Sequence, residues 1–424
     1  MSDHLPSACR CSDGSVWNPN SNMVTTSKEE GNTLMVGNSN SRTRPYHSRM
    51  CKKASSTTNI ESLPDELLSE IIVRVPTDDI RNRAGLVCRK WYHIIHSHAF
   101  VNTHLHHSTY GLLLSAYGLK NISNPIYVTA TKQGGIEISH EISCKRRNTA
   151  WGGFNGLILE LDNYKSRGTK KTSLYVLNPA TKQALLLPPF NFECNVVYGS
   201  RGITYNAASM EYKVVQSHIT KRDTRVIHLV VLTVGVDNSW RPVQVEHLPS
   251  DARELLCLNP LITEGFMHWV AGTEKVLTLN LETEVITETN APLPEAYEGC
   301  RKCYMSTGRY LSLLVSCRKH WWEVWEMKPA ESGEWRKQIY NIKFDAQQLQ
   351  QFEHCNNCSS HGDEALLRPV GWVKYPEVLA FGFQCSATLI FYSLHTHQID
   401  STQLPRYYGD YHVFPHRNTL LWLS

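Results

Sequence analysis

Between Tyr110 and Ser424 one pattern returns six times: an apolar strand, then two shorter strands around a polar turn. The clearest copy runs from Leu174 through Asn178-Pro179-Ala180-Thr181 to Leu187-Pro188. Others span Leu277–Glu284, ending at Leu293-Pro294, and Ile390–His397, ending at Leu404-Pro405. Copies at Ile126–Ile138, Val230–Trp240 and Trp322–Trp335 complete the series. Apolar and polar residues alternate within them, as in strands with one buried face. The preceding strands are Tyr110–Ser115, Gly156–Leu161, Gly202–Tyr205 with Tyr212–Gln216, Gly265–Val270, Tyr310–Val315 and Val378–Phe383. A repeat of roughly 52 residues is the size of one blade, so the pattern predicts a six-bladed β-propeller. Blades bury their faces only against neighbours, and the apolar end Thr419–Leu423 is expected to complete the first blade and close the ring. A β-sandwich or two smaller sheets is the competing arrangement.

Upstream the period changes. Leu63, Leu67, Leu68, Ile71, Ile72 and Val75 recur at helical spacing. Ser62 and Asp65 read as an S-x-x-D capping box, Pro64 is tolerated in a first turn, and Pro76 stops the helix. Thr77 is placed to cap a second helical stretch, with Ile80, Ala84, Val87, Trp91, Ile94 and Ile95 as its apolar face. Gly85 weakens that stretch by about 1 kcal/mol relative to Ala, so a break is expected near Asn82–Gly85. So short a module cannot bury two apolar stripes by itself, and part of its surface must meet a partner or the following domain. Residues 1–58 are rich in Ser, Thr and Asn without an apolar period, and read as a disordered tail. Arg42, Arg44, Arg49, Lys52 and Lys53 near its end read as a solvated basic run or a weak nuclear-import signal.

The run Leu63-Pro64-Asp65-Glu66-Leu67-Leu68-Ser69-Glu70-Ile71-Ile72, then Val75-Pro76, then Leu86-Val87-Cys88-Arg89-Lys90-Trp91, resembles an F-box. The family pattern is L-P-x-E/D-L-L-x-E-I-L-x-R-L-P followed by V-C-K/R-x-W, and the separation of Pro76 from Cys88 is slightly longer than usual. The resemblance implies a surface for a Skp-type adaptor drawn from Leu63, Pro64, Leu67, Leu68, Ile71, Ile72, Val75, Pro76, Val87, Cys88 and Trp91. The β region resembles the F-box-associated, kelch-like domains of plant F-box proteins. The supporting residues are Phe154-Asn155-Gly156-Leu157-Ile158, Tyr175–Thr181, Gly202-Ile203-Thr204-Tyr205 with Glu211–Val215, and Gly265–Trp269. Gly134-Gly135 and Gly152-Gly153 match the kelch glycine pair without the full kelch signature. The organisation is therefore α+β and multidomain: tail 1–58, an all-α F-box at 59–105, and an all-β domain at 106–424.

Composition narrows the function. With 43 basic and 39 acidic residues the net charge is +4, too balanced to indicate nucleic-acid binding. No apolar run approaches the roughly 18–20 residues of a membrane span, and the N-terminus lacks a secretory pattern. The 13 cysteines are expected to be reduced thiols in the nucleus or cytoplasm. Cys300/Cys303 and Cys355/Cys358, with His354 alongside, have the spacing of zinc-binding pairs, yet they are expected to be separate loop thiols without zinc. His104, His106 and His107 read as a solvated connector. Arg318–Trp322 reads as a turn entering a strand, with Trp322, Val324 and Trp325 partly in the core. No P-loop, G-x-G-x-x-G, H-E-x-x-H or G-x-S-x-G is present, so no catalytic residue and no cofactor is assigned.

The resemblance implies the substrate-recognition subunit of a Skp–cullin–F-box ubiquitin ligase. The F-box would dock on the Skp adaptor, and through it on cullin and RING subunits, while the β domain holds a target protein. Proximity would then do the work, by raising the effective concentration of a target lysine. A propeller-fold hydrolase carrying an F-box, or a Skp-binding protein that sequesters its partner, are the rival readings.

Overall fold

A computed structural model of the protein describes residues 60–424 except 117–124, 132–134, 140–148, 167–168, 191–198, 221–225, 271–274, 292–296, 298, 319, 330–331, 346, 348, 350–366, 384–385, 406–410, 422 and 424. The expected disordered tail, His354 and the pair Cys355/Cys358 lie outside the described residues.

The chain enters through four short helices. α1 (Asp65–Ile72) and α2 (Thr77–Asn82) each begin directly after a proline. Pro64 (φ −56°, ψ 152°) and Pro76 (φ −55°, ψ 145°) stand at the N-cap positions, which corrects the capping roles read for Ser62 and Thr77. A proline there presets φ and needs no N–H, while Asp65 and Glu66, or Asp78 and Asp79, face the positive helix end. The expected break is present: Arg83 (φ −127°, ψ −57°) ends α2, and a 3-10 turn spans Ala84–Leu86. Extended Cys88 then leads into α3 (Arg89–Ile95). The Ser97 hydroxyl accepts from the Phe100 amide at 3.2 Å and caps α4 (His98–His107).

Six four-stranded antiparallel sheets follow. Blade 1 holds β1 (Tyr110–Ala116), β2 (Ile126–Ala130) and β3 (Ile136–Ser139). Blade 2 is β4 (Thr149–Phe154), β5 (Leu157–Ser166), β6 (Thr169–Asn178) and β7 (Gln183–Leu186). Blade 3 is β8 (Arg201–Asn206), β9 (Glu211–Thr220), β10 (Val226–Thr233) and β11 (Arg241–Val243), and the short helix α5 (Ser250–Leu255) comes after it. Blade 4 is β12 (Leu261–Thr263), β13 (Phe266–Val270), β14 (Lys275–Asn280) and β15 (Val285–Asn290). Blade 5 is β16 (Arg301–Ser306), β17 (Leu311–Arg318), β18 (Trp321–Met327) and β19 (Trp335–Lys343). Blade 6 is β20 (Leu367–Lys374), β21 (Val378–Phe383), β22 (Thr388–Ser393) and β23 (Ile399–Gln403).

The last strand, β24 (Tyr411–Arg417), returns to blade 1 and pairs with β1, setting Gly111 opposite His416 and Leu113 opposite Phe414. This corrects the expectation that Thr419–Leu423 closes the ring. The first strand of each sheet, β24 in blade 1, touches its counterparts on both sides, from β24 to β4, β8, β12, β16, β20 and back to β24. A closed six-bladed propeller is the result. Its core lies between blades, as between blades 5 and 6, where Trp322, Val324, Trp372 and Phe381 are buried together. β18 begins at Trp321, the expected entry into a strand, and Trp325 is half-buried while Trp322 and Val324 are in the core.

Candidate functional site

The four helices sort their apolar residues onto two sides. Leu68 and Ile72 are fully buried with Ile80, Ile95 and Phe100, and Leu63, Val75 and Trp91 pack against that cluster. One residue away on the same helix, Leu67 is 52% exposed and Ile71 47%. Four-residue spacing sets these two side by side on a face that the other described residues leave open. Leu86 is 81% exposed, Val87 and Tyr92 are about half exposed, and Pro64 and Pro76 are exposed. The Lys90 ammonium donates to the Leu63 carbonyl at 2.7 Å and pairs with Asp65 at 3.0 Å, fixing the start of α1 against α3. Of the sequence-assigned residues, Leu68 and Ile72 therefore hold the module together, and Leu67, Ile71, Val87 and the two prolines form its open side. Leu86 and Tyr92, outside the assigned residues, are exposed as well. They line a groove with Arg81, Gly85, Ile95 and Leu420.

The helical module is fastened to one end of the propeller. Leu105 of α4 packs with Phe154, Tyr205 and Tyr212, which lie at or beside the strand ends on that face. The Tyr205 hydroxyl donates to Asn102 at 3.1 Å, and Arg81 donates to the Ala180 carbonyl at 2.7 Å. The chain's end completes the joint. Leu420 is buried inside the helical core, and Leu421 and Leu423 pack on the cluster between blades 2 and 3. The Asn178 amide donates to the carbonyls of Thr419 (3.1 Å) and Leu421 (2.7 Å), while its own oxygen accepts from the Ala180 and Thr181 amides. The Leu423 amide donates to Gln183 at 2.9 Å. Gly156, at φ +91°, permits this closeness, because a Cβ there would lie 2.4 Å from the Thr419 side chain. At the opposite mouth of the channel, where the innermost strands begin, a cavity of about 330 Å³ is lined by Arg201, Asn259, Pro369, Tyr411 and His412.

Comparison with known families agrees with this architecture. The F-box domain family matches residues 60–103, and the F-box associated beta propeller domain family matches residues 130–388, more than half of the chain. The chain belongs to the F-box proteins with an F-box associated β-propeller. Over 311 residues this F-box protein is 25% identical to Arabidopsis thaliana At5g52610, covering 65% of the chain and 76% of the relative. It is 24% identical over 310 residues to the Arabidopsis thaliana F-box protein At5g65850, covering 69% and 75%. The Arabidopsis thaliana F-box/kelch-repeat protein At5g26960 is 43% identical over 56 residues, 13% of each chain. An F-box is in general a module for a Skp-type adaptor, and F-box proteins are in general adaptor subunits. An F-box joined to a propeller is consistent with a substrate receptor.

The cysteines of this F-box protein depart from expectation in one place. Cys300 and Cys317 form a disulfide. Arg301 stands opposite Ser316 in the β16–β17 ladder, so the next residues out face each other, with Cα atoms 4.5 Å apart. Sequence spacing alone could not show this, because the pairing depends on hairpin register. Cys300 is thus joined to Cys317 rather than grouped with Cys303, which is half-buried and whose thiol pKa is pushed up to about 11 by desolvation. Among the described residues no three His, Cys, Asp or Glu side chains converge as metal ligands. His104 is buried in α4 with its ring beside the Ser108 hydroxyl at 3.2 Å, and burial holds its pKa below the ordinary value. His106 and His107 are exposed.

Proposed function

We propose that this chain is the target-binding subunit of a Skp–cullin–F-box ubiquitin ligase. The observation that carries the reading is the open apolar side of the F-box. Leu67, Ile71, Leu86, Val87 and Tyr92 are exposed on a module whose opposite residues are consumed by its own core and by the propeller joint. An apolar face of this kind is stabilised by a partner. The Skp adaptor would cover it, bringing cullin and RING subunits with it, and the propeller would hold the target. The fastened joint fixes the distance between the two ends, which suits a proximity mechanism in which the reactive thioester belongs to another protein. The chain then needs no nucleophile, metal or cofactor of its own, and it would act in the nucleus or cytoplasm.

Leu67→Ala with Ile71→Ala tests the reading. Both side chains are about half exposed, so the F-box should stay folded while adaptor affinity falls by about 2 kcal/mol or more, at least about thirtyfold. Co-purification of the adaptor at wild-type level with the doubly substituted chain would remove the assignment. Reconstituted ubiquitination of a captured target would separate a ligase receptor from a sequestering protein.

A further inference from the structure

We propose that the Asn178 turn of blade 2 and Leu420 position the adaptor-binding side of the F-box, so that the chain takes up its adaptor only with the propeller ring closed. This rests on the receptor reading above and adds a condition to it.

The part of that side with the least support of its own is the 3-10 turn Ala84–Leu86. Leu86 donates to the Arg83 carbonyl at 3.0 Å and Val87 to that of Ala84 at 3.2 Å, bonds that close only the turn itself. What the turn packs on therefore decides where Leu86 and Val87 stand. A Cβ on Gly85 would lie 3.1 Å from the Ile95 side chain, and Ile95 shares its buried cluster with Ile80, Ala84 and Leu420. Leu420 also lines the groove of about 360 Å³ that Leu86 and Tyr92 border. At 1% exposed it offers a partner almost no surface. It acts on an adaptor through the residues it supports.

Asn178 holds Leu420 in place. Its amide donates to the carbonyls of Thr419 and Leu421, the residues on either side, while its oxygen accepts from the amides of Ala180 and Thr181. The Ala180 carbonyl in turn accepts from Arg81, in the last turn of α2 and another wall of the groove. One turn of the propeller thus grips the groove from two sides. The matching turn of blade 4 has the same inner bonds, Asn280 accepting from Glu282 (2.8 Å) and Thr283 (3.3 Å), yet Glu282 and Thr283 are exposed. Asn178, Ala180 and Thr181 are buried, so the contact with the helices is a use added to the repeat.

Chain length supplies the condition. Arg417, the last residue of the closing strand, stands opposite Tyr110 and donates to the Leu105 carbonyl of α4 at 3.4 Å. The step from Arg417 to Leu420 spans at most about 11 Å, so Leu420 reaches the helical core only while the closing strand is near its place. An F-box with Leu420 seated is one whose ring has closed, and by linkage bound adaptor favours the closed ring.

The test is biolayer interferometry, with a purified Skp-type adaptor on the sensor and the full chain in solution, followed through dissociation. Unfolded chains lower the amplitude, whereas the dissociation rate reads only complexes that have formed. Asn178→Asp keeps the accepting oxygen of the turn and removes the donor to Thr419 and Leu421. It should speed dissociation about tenfold, and so should Leu420→Ala. Leu420→Met should restore a rate close to that of the wild type, and Asn280→Asp should change nothing. Should Asn178→Asp fail to fold, Leu420→Ala carries the comparison, because Asn178 bonds only to main-chain atoms of the strap and keeps them. An unchanged dissociation rate in either variant, with or without a fall in amplitude, overturns the proposal. Equal acceleration by Asn280→Asp overturns it as well, as a general loosening of the propeller. A wild-type chain that does not bind the adaptor removes the receptor reading, and this inference with it.

Discussion

Replacing Leu420 with alanine should separate the F-box from the propeller without opening the ring. Leu420 is 1% exposed, inside a cluster with Leu68, Ile72, Ile80 and Phe100, although it lies more than 300 residues further along the chain. Truncating a buried leucine to alanine costs about 2–5 kcal/mol, part of it from the cavity left behind. The propeller loses little, because its closing strand ends at Arg417 and its ladder with β1 does not include Leu420. The loss falls on the helical module, where about 4–8 °C of melting temperature accompanies each kcal/mol in a small domain. Calorimetry of the variant should show a helical transition about 10 °C or more below that of the wild type, with the propeller transition unmoved. Limited proteolysis should cut near Ser108-Thr109, between α4 and β1, in the variant first. The reasoning is refuted if Leu420→Ala melts within about 0.5 kcal/mol of wild type, or if the propeller transition falls with it.

Other outcomes follow from separate parts of the structure. His268 is fully buried between the hydroxyls of Thr263 (2.9 Å) and Thr278 (3.0 Å), and burial lowers its pKa from 6.5 to about 3. A depressed folded-state pKa means that the unfolded chain binds the proton more tightly. This contribution is therefore complete above about pH 6.5 and is lost as pH falls from there toward 3, at up to about 1.4 kcal/mol per pH unit. His268→Asn should flatten the acid limb of a stability–pH curve by about one proton, and an unchanged slope would show that His268 does not titrate as described. Alkylation of unfolded, unreduced protein should leave Cys300 and Cys317 unlabelled until a reductant is added. Labelling of both without reduction would exclude the pairing.

The parts of this fold that were legible in the sequence are those with a period. The strands at Leu174, Leu277 and Ile390 show apolar residues at two-residue spacing, although Val276–Leu279 and Thr388–Tyr392 are buried on both faces between neighbouring blades, and α1 shows its helical spacing plainly. The closing strand was not legible. Tyr411–Arg417 contains Pro415 and two histidines, and it borders the channel instead of alternating between core and solvent. Leu420-Leu421 was misassigned as a strand because an apolar run reports burial and not its partner. Here the partners are a helical core and the amide of Asn178. The open side of the F-box was half legible. Spacing identified Leu67, Leu68, Ile71 and Ile72 as apolar positions, but α1 has two apolar edges, and only packing shows that Leu68 and Ile72 face inward. Leu86 lies in a 3-10 turn between helices, where no helical face can be projected.

Hydrogen–deuterium exchange on the intact chain, alone and with a Skp-type adaptor, tests the bridging role most directly. Bound adaptor should slow exchange at α1 and across Leu86–Tyr92, and leave the channel mouth at Asn259–Ile262, Arg368–Gly371 and Tyr411–Phe414 unchanged and free for a target. Protection at the channel mouth, or none at α1 in a complex shown to have formed, would contradict the assignment of the two ends.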